Sequence, residues 1–134
     1  MSNEKSELLN SSPSGAGGYP IIGITMGDPA SIGPEIAVKA LLERKIYSIC
    51  RPILVGDAKV FQQIIDLLKL NAKVNAVAKV TDAKFELGTI DVFDLGITDI
   101  SKLEFGKINA MCGEASFQAV KKAIELALAK EVDG

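Results

Sequence analysis

Few side chains in this protein are equipped for chemistry. Histidine, the commonest general base and a leading metal ligand, is absent from all 134 residues. A complete His-dependent active site therefore cannot be assembled from this chain alone. The two cysteines, Cys50 and Cys112, lack metal-ligand spacing and any disulfide pattern, and read as reduced, buried thiols of a cytoplasmic protein. That leaves the carboxylates. Asp28 and Glu35 fall in GITMGDPASIGPEI (residues 23–36), where three glycines and two prolines are concentrated. Asp57 follows Gly56 in a second turn and is expected to be a helix N-cap. Asp91 and Asp94 lie in a strand-like run with no partner visible in the sequence. Asp99, Glu104 and Glu114 read as solvated.

The 23–36 stretch is neither a phosphate loop, since it lacks the Gly-Lys-Ser/Thr ending, nor a dinucleotide fingerprint, since its glycine spacing is wrong and its turn too long. Two readings of it stand side by side. In one, Asp28 and the helix N-terminus beginning near Gly33 edge a ligand cleft at the carboxyl end of the first strand, with backbone N–H groups available to an anion. In the other it is a tight strand-to-helix turn in which Asp28 bonds to neighbouring backbone N–H groups. The residues placed at the cleft by the first reading are Gly27, Asp28, Gly33 and Glu35. No residue of this chain is assigned a catalytic or metal-binding role.

These residues need elements to position them. Residues 1–18 are rich in Ser, Gly and Asn without periodicity and read as a disordered leader or tag, leaving 19–134 as the folded part. Ile21, Ile22 and Ile24 suit a buried strand. Gly33 as N-cap and Pro34 at the first helical position open a helix expected to run to about Lys45. Pro52 to Val55 reads as a second buried strand, followed by a helix with an apolar face from Val60 to Leu68. Val74 to Val80 and Thr89 to Leu95 are the third and fourth strands, the fourth at or near an edge. A loop covers residues 96–107. Asn109 caps a last helix that keeps its spacing to about Lys130 and holds Gly113 in its first turns, at a cost of roughly 1 kcal/mol unless packing needs it. Alternating strands and helices predict an α/β fold: a mainly parallel sheet with helices on both faces in α/β/α layers. The sequence stops where a further strand should begin, so it is expected to be the first part of a larger protein, its last helix covering a face whose partner strand is missing.

Composition narrows the function class. The net charge is −2, and no Lys/Arg run marks a nucleic-acid groove or an anionic membrane surface. No apolar run approaches the roughly 20 residues of a membrane span. No nucleic-acid or membrane partner is expected.

The 23–36 stretch resembles the opening of the 4-hydroxythreonine-4-phosphate dehydrogenase family, which carries a strand followed by Gly-Asp/Glu-Pro-Ala-Gly-Ile-Gly-Pro-Glu. The match falls on Gly27, Asp28, Pro29, Ala30, Ile32, Gly33, Pro34 and Glu35, and departs at Ser31, where the family usually has Gly. PILVGDAKVF (52–61) and the segment 106–134 are similar to later parts of the same family. The likeness thus runs from about Pro20 to Gly134.

The resemblance implies a homodimer of much longer two-domain α/β/α subunits, akin to isocitrate and isopropylmalate dehydrogenases. It also implies NAD and a divalent metal (zinc, magnesium or cobalt), with 4-phosphohydroxy-L-threonine as substrate in pyridoxal phosphate (vitamin B6) biosynthesis. The product is a β-keto acid that loses carbon dioxide. Related branches oxidise other four-carbon sugar-acid phosphates such as erythronate 4-phosphate. The family's metal ligands are histidines, and its substrate-binding residues lie beyond residue 134. None carries over, and only the first-turn motif does, as scaffold or cleft lining. The isolated chain is therefore expected to be inactive and to bind neither cofactor. A non-catalytic α/β binding module is the competing reading.

Overall fold

The computed structural model describes residues 18–107 and 109–134; the expected leader, apart from Gly18, lies outside them. Four strands, β1 (Ile21–Thr25), β2 (Arg51–Gly56), β3 (Lys73–Val77) and β4 (Thr89–Asp94), form one parallel sheet in the order β1-β2-β4-β3. The helices are α1 (Gly33–Ala40), α2 (Arg44–Tyr47), α3 (Ala58–Leu68) and α4 (Ala110–Leu128).

Period-two alternation divides each strand between two cores. Leu54, Ile90 and Val92 point to the face where α1 and α3 pack through Val38, Leu41, Val60, Phe61 and Ile65. Ile21, Ile53 and Val55 point to the other, where Leu126 and Ala123 of α4 lie over them. The expected α/β layering, with helices on both faces, is therefore what the chain adopts.

Three boundaries differ from expectation. The first helix does not reach Lys45. It stops at Ala40, Glu43 is extended, and α2 restarts at Arg44. The break turns the chain so that Leu42 and Ile46 reach the α1/α3 core, a tertiary gain that local propensity cannot register. The N-cap of α1 is Ile32, not Gly33, which is already helical. The third strand ends at Val77. Val80 begins a 3-10 turn (Val80–Asp82) that drops its side chain into the second core.

β4 lies one strand in from the edge strand β3. This agrees with a fourth strand at or near an edge. Asp91 is only 2% exposed, yet it accepts hydrogen bonds from Asn75 Nδ2 (2.8 Å), Lys84 N (3.0 Å) and Phe85 N (2.8 Å). A buried carboxylate met by three donors is tolerated where an unmet one is not.

Residues after α4 run beside β1. Asp133 N donates to Ile21 O (2.8 Å), and Gly23 N donates to Gly134 O (2.7 Å). Ile21 N donates to Asp133 Oδ2 (2.8 Å), and Val132 is buried in the second core. The last residues thus begin to pair with β1.

Candidate functional site

In open parallel sheets ligands collect at the carboxyl ends of the strands. Here that end is built by the turn after β1, the start of α3 after β2, and the 95–107 loop after β4. The first turn is held from below by Met26, which is 1% exposed and whose N–H donates to Val55 O (2.9 Å). Two glycines make room for it. A Cβ on Gly56 would stand 2.5 Å from Met26 Cβ, and one on Gly33 would stand 2.9 Å from Met26 O. Gly27 has φ +73 and turns the chain in a conformation that L side chains rarely adopt.

Asp28 Oδ1 accepts from Ala30 N (2.8 Å), and Asp28 O accepts from Ser31 N (3.0 Å). This is the turn-forming arrangement, the second of the two readings of the motif. Asp28 also faces Cys112 in the first turn of α4. Burial pushes the Cys112 thiol up, and the charge and hydrogen bond of Asp28 push it further. Cys112 is fully buried, and its surroundings favour the neutral thiol beside the turn. Ser31 is not among the described non-glycine residues with positive φ, so the backbone at this departure from the family pattern does not require glycine. Its side chain stands at the surface.

The 95–107 loop closes on this turn. Gly106 N donates to Ala30 O (2.8 Å). A cavity of about 330 Å³ lies between them, lined in part by Ser31, Glu35, Ile64, Leu67 and Phe105. Of the four predicted cleft residues, only Glu35 lines it, and its carboxylate pairs with Lys39 at 3.5 Å. Gly27, Asp28 and Gly33 shape the turn behind the cavity wall. Phe105 and Gly106 were not singled out by sequence reasoning, because only the folded turn brings them to Ala30.

Asp57 occupies the N-cap position of α3 but makes no side-chain capping bond there. Its carboxylate instead accepts from Ile97 N (2.8 Å) and from the Thr98 hydroxyl, pinning the loop after β4. The cap comes from β4, where Asp94 Oδ1 accepts from Ala58 N (3.1 Å) and from Gly96 N (3.2 Å). The aspartate at the N-cap position thus holds the loop, and the one that ends β4 meets the first N–H of the helix.

A larger cavity, about 690 Å³, opens where β1 and β2 begin, near Ile21, Arg51, Lys79 and Lys130. That is the end of a parallel sheet where ligands are not ordinarily bound, so size alone does not make it the site. Among the described residues no three Asp, Glu or Cys side chains converge as a metal would need. With no histidine available either, this donor set does not fit a catalytic metal.

The family model of the pyridoxal phosphate biosynthetic protein PdxA matches residues 48–134. A Clostridium botulinum protein named as a D-threonate 4-phosphate dehydrogenase is 47% identical over 114 residues, 85% of this chain and 34% of its own length. A Symbiobacterium thermophilum protein of the same name is 46% identical over the same shares. The crystal structure of a 4-hydroxythreonine-4-phosphate dehydrogenase from Burkholderia phymatum superposes with a TM-score of 0.81 at 39% identity, over 84% of this chain and 34% of that one. The chain spans about a third of the length of the curated relatives it matches.

Proposed function

The chain belongs to the family of the pyridoxal phosphate biosynthetic protein PdxA, and from that membership we propose that it is the amino-terminal portion of a dehydrogenase acting on a hydroxy acid phosphorylated at its fourth carbon. The observation that carries this reading is the family match over 48–134 together with the Gly27-Asp28-Pro29-Ala30 turn, folded at the ligand-binding end of the sheet. The first-choice substrate is D-threonate 4-phosphate, because the relatives at 46–47% identity bear that name. The structural relative at 39% supports 4-phosphohydroxy-L-threonine, and with it a place in vitamin B6 synthesis, as the second reading. The two acids differ in carrying a hydroxyl or an amine at the second carbon.

NAD as hydride acceptor, a divalent metal, a homodimer and a cytoplasmic setting belong to this reading of the full-length protein. The residues of this chain do not fit the metal, and no chemical step is assigned to them. Their part is to build one wall of the cleft and hold it rigid. In the described part no helix is long and apolar enough to cross a membrane.

The test uses a joined chain, these 134 residues followed by the remaining two thirds of the Clostridium botulinum relative. NADH formation is followed with D-threonate 4-phosphate, D-erythronate 4-phosphate and 4-phosphohydroxy-L-threonine. Turnover with the first and little with the third supports the assignment, and the reverse order moves the chain to B6 synthesis. No NAD reduction by a folded joined chain on any of them rejects the class. The 134-residue chain alone is expected to turn over none.

A further inference from the structure

Helix α4 is apolar on two sides. Cys112, Ala115, Ala119 and Leu126 are buried inside the fold. On the other side Gly113, Phe117, Val120, Ile124 and Ala127 are exposed and follow one another at intervals of 4, 3, 4 and 3 residues. That is the 3.5-residue repeat of a helix that packs along another helix. Phe117 is 60%, Val120 44%, Ile124 54% and Leu128, on the flank, 79% exposed. Gly113 adds a second, independent sign. It sits inside the helix, where glycine is unfavourable, its φ is not in the left-handed region, and a Cβ there would meet nothing within 4 Å. Nothing among the described residues requires that glycine. The open space leaves room for a backbone or side chain arriving from outside.

We propose that this seam receives a helix from the carboxy-terminal two thirds with which the relatives continue, a contact within one subunit that fixes the rest of the enzyme against the sheet. Two observations select that occupant over a second copy. The four exposed apolar side chains offer on the order of 400 Å², about half of the ~800 Å² per partner of a standard interface between separate molecules. A tethered helix faces a loop-closure cost in place of the larger association entropy and can be held by less. The tail, which pairs with β1 from Asp133, leads away from the same helix, so a continuation starts within reach of it. The proposal rests on family membership but not on the substrate.

Phe117→Cys and Ile124→Cys are made separately, with Glu125→Cys on the polar side as control. Maleimide labelling at each position is mapped by peptide mass in the 134-residue chain and in the joined chain. Expected is labelling at least about tenfold slower in the joined chain for the Phe117→Cys and Ile124→Cys variants, with Glu125→Cys unchanged. Gly113→Leu is the second measurement. It should raise the melting temperature of the 134-residue chain, where leucine only improves helix propensity, and lower that of the joined chain, where it blocks the seam. Equal labelling in both chains, or a Gly113→Leu effect of the same sign in both, overturns the proposal. So does a 134-residue chain that is dimeric by light scattering and becomes monomeric on Phe117→Glu, which would make a second copy the occupant. Activity is not read in any of these, so their failure is distinct from failure of the dehydrogenase assignment.

Discussion

At the scale of residues, the glycines in and around the first turn do different jobs. Gly56→Ala forces a Cβ to 2.5 Å from Met26 Cβ, and overpacking of this kind costs about 1–3 kcal/mol. Gly23→Ala meets its nearest atoms only at 3.7 Å or beyond and should leave stability within about 0.5 kcal/mol. Urea unfolding of the two variants checks the contrast, and equal losses would remove Met26 as the fulcrum. Tyr47 gives a second prediction. Burial, then the charges of Asp91 and Cys50, push its phenol from 10.0 up to about 12. The folded state therefore holds this proton where the unfolded state has lost it. The stabilisation is complete below about pH 10 and drains away as pH rises to about 12. Burial raises the Cys50 and Cys112 thiols as well, adding to the descent from their lower starting point. Tyr47→Phe should make the alkaline fall in urea midpoint shallower, and an unchanged slope would assign the fall to other groups. The glycine-rich turn was legible as a motif. Which glycine serves φ and which serves Met26 was not, because Met26 lies far from Gly56 in sequence.

At the scale of elements, caps separate what is local from what is not. Asn109 was readable as the cap of α4, and its side chain does accept from Cys112 N at 2.8 Å, a contact spanning three residues. Asp57 was equally readable as a cap and does take the N-cap position, but its side chain makes no capping bond, because Ile97 and Thr98 arrive with the loop after β4 and claim its carboxylate. Sequence windows see the first kind of partner and never the second. The same reason explains why no partner for Asp91 was visible in the sequence: it finds Asn75 on β3 and two N–H groups beyond it only once the strands pair. Asn109→Ala should cost about 1 kcal/mol and fray α4 from its start. Asp57→Ala should leave the first turn of α3 protected, since Asp94 holds Ala58 N, but should speed amide exchange at Ile97, which loses its acceptor. Faster exchange in α3 with Ile97 unaltered would restore the simple capping role.

At the scale of the molecule, the sheet is held at its β1 side by the tail. Two backbone hydrogen bonds, the bond from Ile21 N to Asp133, and burial of Val132 at 3% exposure join the last residues to the first strand. β1 also supplies the turn that walls the cavity, so the tail supports the candidate site from the opposite end of its strand. Removing residues 132–134 deletes a buried valine, worth roughly 1.5–3 kcal/mol, and several hydrogen bonds at about 1 kcal/mol each. It also leaves β1 as an open edge, ready to pair with another chain. The shortened chain should lose about 4–6 kcal/mol in urea unfolding and show concentration-dependent aggregation. Val132→Ala alone should lose stability by a smaller amount without aggregating, because the edge remains covered. A shortened chain as stable and as monodisperse as the parent would mean that β1 is secured by β2 alone, and that the first turn depends on nothing beyond its own glycines, Met26 and Asp28.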